Sequence, residues 1–555
     1  MRWIMPSEET QNVLDFILEQ RGIDDFEKFS TYSLNHLHSP WKLHDIDKAI
    51  DAIINAFKNN EKIFIHGDFD VDGVTATTIM WRFLYQKLKA NAIPYIPSRF
   101  EEGYGLSRDS LDAIVQQGGQ LVITVDCGVK DIDLITEYSD KLKFVITDHH
   151  SLALKDNYLN RDDVEIIGDF AISKKALAVV HPALGNYPFD KLCGASVAWK
   201  LCCAINEKLN LGCEMSDFLD LVALATVCDI MPLIDENRAL VKIGLEQFRK
   251  TKNVGLIALA EVSGIDISKV DEYSLGYQIG PRINAAGRLE HAIDAVKLLS
   301  TDKFQSARSI AKYLQTLNSK RQNLTQEYYE HAEEQIKDQI DDFVYYVEGE
   351  NWPEGVVGLI AGKLSQKHSR PVLVASKKGS TIKGSARSIE CFDIAQMFKK
   401  LDKLLIAHGG HTQAAGFTLS EENKDNFVTT LKKLANEYLN PDDLTKYLTI
   451  DALTTPKFIN NELIQKIDLL SPFGFGNPKP VIAIENAEIT NVRTFGKENN
   501  HCEITLFKDN HTINAVAFNQ TIEKNRKKYI SVAGTLKIDE YKKLPTIRLI
   551  DVKFS

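Results

Sequence analysis

Three short apolar runs, KIFIH (62–66), LVITVD (121–126) and KFVITD (143–148), constrain this 555-residue chain more than any other feature. Each has the length and branched-residue content of a strand buried on both faces. A helix-like stretch, GVTATTIMWRFLYQKLKA (73–90), follows the first. Strand–helix–strand alternation predicts a parallel α/β sheet, because parallel neighbours need a long crossover and a helix is the usual one. Sheets of that kind bind ligands in the crevice beyond the carboxyl ends of their strands.

All three runs end in metal-ligating side chains. The first gives His66-Gly-Asp68-Phe-Asp70-Val-Asp72-Gly73, the second Asp126-Cys-Gly128, the third Asp148-His149-His150. A further acid, Asp229, stands at the end of the apolar helical run LVALATVCDIMPL, just before Pro232 stops the helix. Carboxylates gathered in one crevice repel one another unless a cation neutralises them. Taken alone, Asp148 reads as a turn or helix cap; acids and imidazoles at three successive strand ends do not. Oxygen ligands with a few imidazoles and no paired thiolates favour Mn²⁺ or Mg²⁺ over structural zinc. Six or so such ligands are enough for two ions sharing a bridging aspartate, the arrangement that promotes in-line displacement at phosphorus.

The rest of the chain divides by pattern. Residues 1–60 read as a helical segment, clearest in DKAIDAIINAF, and 61–310 as the α/β catalytic domain. A charge-rich connecting helix occupies 311–342. A second α/β unit, 343–445, contains FVYYVEG, VVGLIAGKLSQK, PVLVAS and TIKGSARS. Residues 446–555 look β-rich, with HCEITLF, INAVAF, YISVAGTLKI and PTIRLIDVKF as strands of a small barrel.

Charge separates these parts. The net charge of −10 excludes a uniformly basic coat, yet residues 446–555 carry +4 against −14 for the remainder. The run KNRKK (524–528) and Lys542-Lys543 lie beside Tyr529 and Tyr541, a pairing of cations and rings suited to single-stranded nucleic acid. Eight cysteines without a CxxC pair form neither a disulfide framework nor a zinc finger. No apolar run approaches the ~18–20 residues of a membrane span, and MRWIMPSEETQ turns polar too early for a signal peptide. A cytoplasmic protein with no membrane contact is expected.

HGDFDVDG, VDCG, DHH and ATVCDIMPL resemble the successive motifs of the DHH phosphoesterase superfamily. GYQIGPRINAAGRL (276–289) is similar to the RecJ single-strand-specific exonucleases in particular. KGSARS (383–388) and HGGHTQAAGF (408–417) resemble the DHHA1 substrate-binding domain, and the terminal barrel is similar to that family's OB-fold. The resemblance implies metal ligands at Asp70, Asp72, Asp126, His149 and Asp229, with His66 at a position where related two-metal phosphoesterases place another. It implies a supporting role for Asp68, and for His150 contact with the scissile phosphate or help to the leaving oxygen. It also implies a 5′-to-3′ exonuclease of single-stranded DNA that releases 5′-mononucleotides in repair and recombination. A single-strand-binding protein and a helicase are the implied partners.

Cations and neutral donors aimed at phosphates are expected from glycine-rich segments: Arg99 in IPSRFEEGYGLS, Arg282, Asn284 and Arg288 in PRINAAGR, and Ser385, Arg387 and Ser388 in KGSARS. His408 and His411 belong to an HGGH segment read as a turn. In the family these segments hold the 5′-terminal phosphate and first nucleotides. Two positions depart from the family pattern: His181 stands where relatives commonly have asparagine, and Pro353 where they carry a histidine after the tryptophan. Cys127 and Cys228 adjoin Asp126 and Asp229; their contexts predict packed thiols, with oxidative silencing as the alternative. Competing readings are a superfamily phosphodiesterase acting on cyclic dinucleotides, very short oligonucleotides or polyphosphate, and a non-catalytic replication scaffold.

Overall fold

The computed structural model describes residues 1–522 and 528–554, so the basic run at 524–528 lies, apart from Lys528, outside the described residues. The chain forms two compact units. One comprises Ser33–Tyr438 with 474–476; the other comprises Met1–Tyr32, Leu439–Phe473 and Asn477–Ser555.

The larger unit is built on a five-stranded parallel sheet. Its strands are β1 (Ile63–His66), β2 (Ala92–Tyr95), β3 (Leu121–Val125), β4 (Lys143–Thr147) and β5 (Ala178–Val180). Their order is β2-β1-β3-β4-β5. Every residue of β1 and β3 is buried, which is why these runs are apolar without alternation. The chain order reverses between β1 and β3, the switch point at which such sheets open a crevice. Register sets His66 opposite Thr124 and Val125 opposite Thr147, bringing the acid-bearing ends level.

Helix α1 (Val71–Trp81) is buried almost all round, since it packs against α2 (Gly194–Lys208) and α3 (Leu219–Cys228). Gly73 in its first turn is obligatory: a Cβ there would lie 2.5 Å from the Asp68 backbone nitrogen and oxygen. The PRINAAGR segment is itself a helix, α4 (Gly280–Leu289), entered through a π-helical turn and with proline in its first turn. Gly287 lets α4 meet the acidic loop, since a Cβ would sit 2.4 Å from the Phe69 carbonyl oxygen.

The charge-rich helix α5 (Phe304–Ile336) joins two cores instead of standing free in solvent. Its first half buries Ala307, Ala311, Leu314 and Leu317 in the core around the parallel sheet. Its last turns bury Ala332 and Ile336 against Tyr345, Val347 and Trp352. Beyond it come β6 (Tyr345–Glu350), α6 (Glu354–His368), β7 (Val372–Lys378), β8 (Thr381–Arg387), β9 (Ala407–His411) and β10 (Ala414–Ser420). These strands form a mixed sheet ordered β6-β7-β8-β10-β9. HGGH is therefore not a turn but most of the edge strand β9, with Gly409 opposite Gly416.

The smaller unit contains a closed five-stranded barrel: β11 (Val481–Phe495), β12 (His501–Lys508), β13 (His511–Ala517), β14 (Tyr529–Ile538) and β15 (Pro545–Phe554). The order β11-β12-β13-β15-β14 closes through pairing of β14 with β11. Strand β11 escapes detection in the sequence because its alternation is interrupted. Its register shifts between Ile484 and Ala487 and again between Ile489 and Asn491, and Asn486 adopts a left-handed φ of 51°. The chain start belongs to this unit: Arg2–Ile4 pairs with Tyr447–Thr449, and the Val13–Gln20 helix contributes Val13, Ile17 and Leu18 to the barrel core.

Gly287→Ala should push α4 off the acidic loop. We expect a loss of about 1–3 kcal/mol, as for other overpacked cores, seen as a lower midpoint in thermal unfolding, together with reduced activity. An unchanged melting curve would show that the contact yields without cost.

Candidate metal centre and strand-binding cleft

Three overlapping groups of ligand atoms, each within 4.8 Å of one another, form at the carboxyl ends of β1, β3 and β4. They are Asp68–Asp70–Asp126, Asp72–His149–Asp229 and Asp126–His149–His150. His149 Nε2 lies 3.0 Å from Asp126 Oδ1 and 3.6 Å from both Asp72 Oδ2 and Asp229 Oδ2. Asp126 and His149 each belong to two of the groups, the position a shared ligand must occupy.

Local structure explains why these acids converge. Asp70 caps α1, its Oδ1 accepting the Gly73 N–H at 3.1 Å. Asp72 is buried and accepts from the Gly194 and Ala195 N–H groups at 2.6 and 2.7 Å, at the positive end of α2. Gly194 is glycine because a Cβ would lie 2.7 Å from Asp126 Oδ1. Asp126 has a left-handed φ of 64°, a strained conformation of the kind that clusters at functional sites. Asp229 follows the last residue of α3.

Asp148 is the organiser of the third motif. Its Oδ1 accepts from the His149 and His150 N–H groups and from His150 Nδ1, at 2.7, 3.1 and 2.9 Å, while Oδ2 accepts from Val129 N–H at 3.0 Å. His181 holds the same turn: its Nδ1 accepts the Ala183 N–H at 3.1 Å, which leaves Nε2–H to donate to the His150 carbonyl at 2.8 Å. The imidazole thus has a bonding role in the turn that carries His150.

The electrostatics are those of a cation site. Burial, compounded by neighbouring carboxylates, holds Asp68, Asp126 and Asp229 well above the ordinary carboxylate range and raises Asp70. Burial pushes the imidazole of His149 down to about 4, so at neutral pH it is the uncharged form that ligates metals. Asp68 Oδ1, Asp126 Oδ1, His149 Nε2 and His66 Nε2 are buried without a hydrogen-bond partner. Orphaned acceptors among crowded acids fit Mn²⁺ or Mg²⁺, and the donor set of carboxylate oxygens with imidazole fits those ions chemically. His66 stacks on Tyr95 and stands outside the three groups. For His150, burial would lower the pKa, but the Asp148 bond and the surrounding carboxylates outweigh it and raise the value.

Basic side chains adjoin this cluster, and both line one cavity of about 880 Å³. Asp68, Asp70, Tyr104 and His150 stand on the acidic side, with Arg99, Arg288, Ser385, Arg387, His408 and His411 around them. Burial first, then the charges of Arg99, Arg321 and Arg387, pushes the Arg288 guanidinium down to about 9. Burial likewise lowers Arg99 and Arg387. Arg99 lies over the Phe69 ring at 4.9 Å, and Arg387 Nη1 donates to Ser385 Oγ at 3.0 Å. Three half-buried guanidiniums that repel one another suit an anion.

Other residues singled out in the sequence lie elsewhere. Asn284 Oδ1 accepts the Val71 N–H at 3.1 Å, tying α4 to α1. Arg282 donates to Gln315 at 2.7 Å and to the Gln278 carbonyl, and it does not line the cavity. Ser388 Oγ donates to the Phe392 carbonyl at 2.6 Å, closing a turn. Pro353 caps α6, and the residues of that turn which reach the cavity are Glu354 and Val357. Cys127 is buried against His66, and Cys228 Sγ lies 3.5 Å from the Leu275 carbonyl; burial pushes both thiols up, as for packed neutral groups. Tyr104 escaped the sequence reading. It lies between Gly103 and Gly105, both left-handed, and its hydroxyl is 2.9 Å from His150 Nδ1.

Without a cation the raised carboxylates bind more protons folded than unfolded, so stability falls as pH rises above their ordinary values. The melting point of EDTA-treated protein should therefore drop as pH rises above the ordinary carboxylate range, and Mn²⁺ should restore it most at the alkaline end. Differential scanning calorimetry across that rise in pH checks this. A Mn²⁺ shift that grows toward acid would contradict the site.

The sequence matches the model of the DHH family N-terminal domain over 62–226, of the DHHA1 domain over 341–437 and of the RecJ OB domain over 450–551. It is 34% identical to the single-stranded-DNA-specific exonuclease RecJ of Bacillus subtilis (strain 168), over 97% of this chain and 67% of that protein. The Escherichia coli (strain K12) protein of the same name is 32% identical, over 80% of this chain and 78% of its own. Among solved structures, RecJ from Thermus thermophilus in complex with Mn²⁺ has a TM-score of 0.81 at 25% identity, covering all of this chain and 80% of that one. An exonuclease RecJ bound to manganese has a TM-score of 0.62 at 30% identity, over 73% and 97%.

Proposed function

The chain belongs to the RecJ family of single-stranded-DNA-specific exonucleases, and from that premise we propose that it removes 5′-mononucleotides from the 5′ end of single-stranded DNA. The observation that carries this reading is one cavity lined both by orphaned acid and imidazole ligands and by three mutually repelling arginines.

Asp70, Asp72, Asp126, His149 and Asp229 would hold Mn²⁺ or Mg²⁺, with Asp68 supporting and His66 in reserve behind them. Bound there, two such ions supply charge stabilisation at phosphorus and a water acidic enough to attack at neutral pH. The protein does the rest. Arg99, Arg288 and Arg387, with Ser385, grip the 5′-terminal phosphate and set the reading position. His150 is engaged through Nδ1 by Asp148, which favours the protonated ring and leaves Nε2 for the substrate. From there it donates a hydrogen bond to the scissile phosphate, and its proton goes to the departing 3′ oxygen as the P–O3′ bond breaks. Tyr104, bonded at the same nitrogen, fixes the ring plane.

We assign substrate gripping to residues 343–445 and strand binding to the barrel, whose +4 charge contrasts with the rest of the chain. Presentation of the strand by a single-strand-binding protein or a helicase, in the cytoplasm and in the course of repair and recombination, completes the proposal. No helix among the described residues is long and apolar enough to cross a membrane.

Asp72→Ala and His149→Ala should each abolish cleavage of a long 5′-labelled single strand in Mn²⁺, while circular dichroism stays unchanged. His150→Gln should lower kcat by about 10²–10⁴, the usual contribution of a general acid, and retain the Mn²⁺-induced rise in melting point. Hydrolysis of a dinucleotide but not of the long strand would instead favour a short-oligonucleotide phosphodiesterase.

A further inference from the structure

Next to Asp229 the surface carries a feature that phosphoryl chemistry does not use. Tyr273 and Tyr277, one turn apart on the helical run leading into α4, stack with ring centroids 4.9 Å apart and planes 24° from parallel. They are nevertheless 56% and 73% exposed. Beside Asp229 itself, Ile230 is 71% exposed and has a φ of +56°, a genuine outlier for a β-branched residue. Backbone bonds from Ile230 to the Val227 carbonyl and from Met231 to the Thr226 carbonyl hold it there. Apolar side chains fixed in water beside a reaction centre mark a contact surface.

The aromatic turn is fastened to the segment that delivers Asp229. Cys228 Sγ lies 3.5 Å from the Leu275 carbonyl, and a Cβ on Gly280 would sit 2.3 Å from that sulfur. A Cβ on Gly276 would be 3.4 Å from Val227 Cγ1. The helical turn that carries the rings is therefore packed against the residues just before Asp229. About one further turn along stands Arg282, whose guanidinium burial depresses with no carboxylate to offset it. Arg321 lies next to it with a buried Nε lacking any partner.

Paired rings beside guanidiniums without acids match a single strand, whose bases stack on any π-face and whose backbone supplies the anion. Resting on the exonuclease reading above, we propose that Tyr273 and Tyr277 form a base-stacking platform for the substrate strand, with Arg282 taking a backbone phosphate.

The test compares wild type with Tyr273→Ala/Tyr277→Ala and Tyr273→Phe/Tyr277→Phe on a 5′-phosphorylated 30-nucleotide single strand in Mn²⁺. We expect the alanine pair to raise KM about tenfold, the lower range for a stacked base, with kcat within about twofold of wild type. The phenylalanine pair should restore KM, because a ring suffices. A strand made abasic beyond its first three nucleotides should raise KM for wild type and leave the alanine pair no worse than on the normal strand. An unchanged KM in the alanine pair, or equal impairment in both pairs, overturns the platform while the exonuclease reading stands. Wild-type enzyme that leaves the strand intact overturns the exonuclease reading and the platform together.

Discussion

Mutual repulsion among buried carboxylates is the constraint on which the rest of the structure depends. Asp68, Asp70, Asp72, Asp126 and Asp229 are held together although their charges oppose it, and the fold spends specific features on keeping them there. Gly73, Gly194 and Gly287 remove side chains that would otherwise separate the acidic loop from α1, Asp126 from α2 and the loop from α4. Two N–H groups at the head of α2 fix Asp72, and Asp126 is held in a left-handed conformation. Such an arrangement is unfavourable in the empty protein and becomes favourable with divalent cations, which couples metal occupancy to conformational stability.

Much of this was legible in the sequence because parallel sheets impose a strict grammar. Strands buried on both faces must be continuous apolar runs, and ligands must follow their carboxyl ends, so KIFIH, LVITVD and KFVITD announce both fold and site. What remained hidden depended on tertiary packing. Asn284 sits within a segment rich in phosphate-binding residues, yet its side chain accepts from Val71 N–H, a contact that exists only once α4 lies on α1. Tyr104 gave a signal only in its flanking glycines. HGGH read as a turn because glycine and histidine are poor strand formers; pairing with β10 overrides that propensity. Strand β11 was masked by its own irregularities, which break the period-two pattern on which detection relies.

The two walls of the cavity obey opposite electrostatic rules, and the difference divides their labour. The acidic wall is crowded beyond what water would tolerate and calls for cations. The arginines line the same space, Arg99 stacked on the Phe69 ring between two of the acids. A phosphodiester is the natural bridge, since its anionic oxygens can meet both. Selectivity between long strands and small phosphoesters then falls to surfaces outside the cavity.

The long helix α5 has a consequence for how a strand can enter. The same continuous helix is embedded in the cores on both sides of the cavity. Nearer the cavity, the end of α4 touches the start of α6 so closely that a Cβ on Gly355 would lie 1.9 Å from the Arg288 carbonyl oxygen. Walls joined by a rigid spine and pinned again at a second point resist being prised apart. Widening the cavity would require bending that helix or breaking the second contact. A substrate must therefore fit a cleft whose width the fold itself sets.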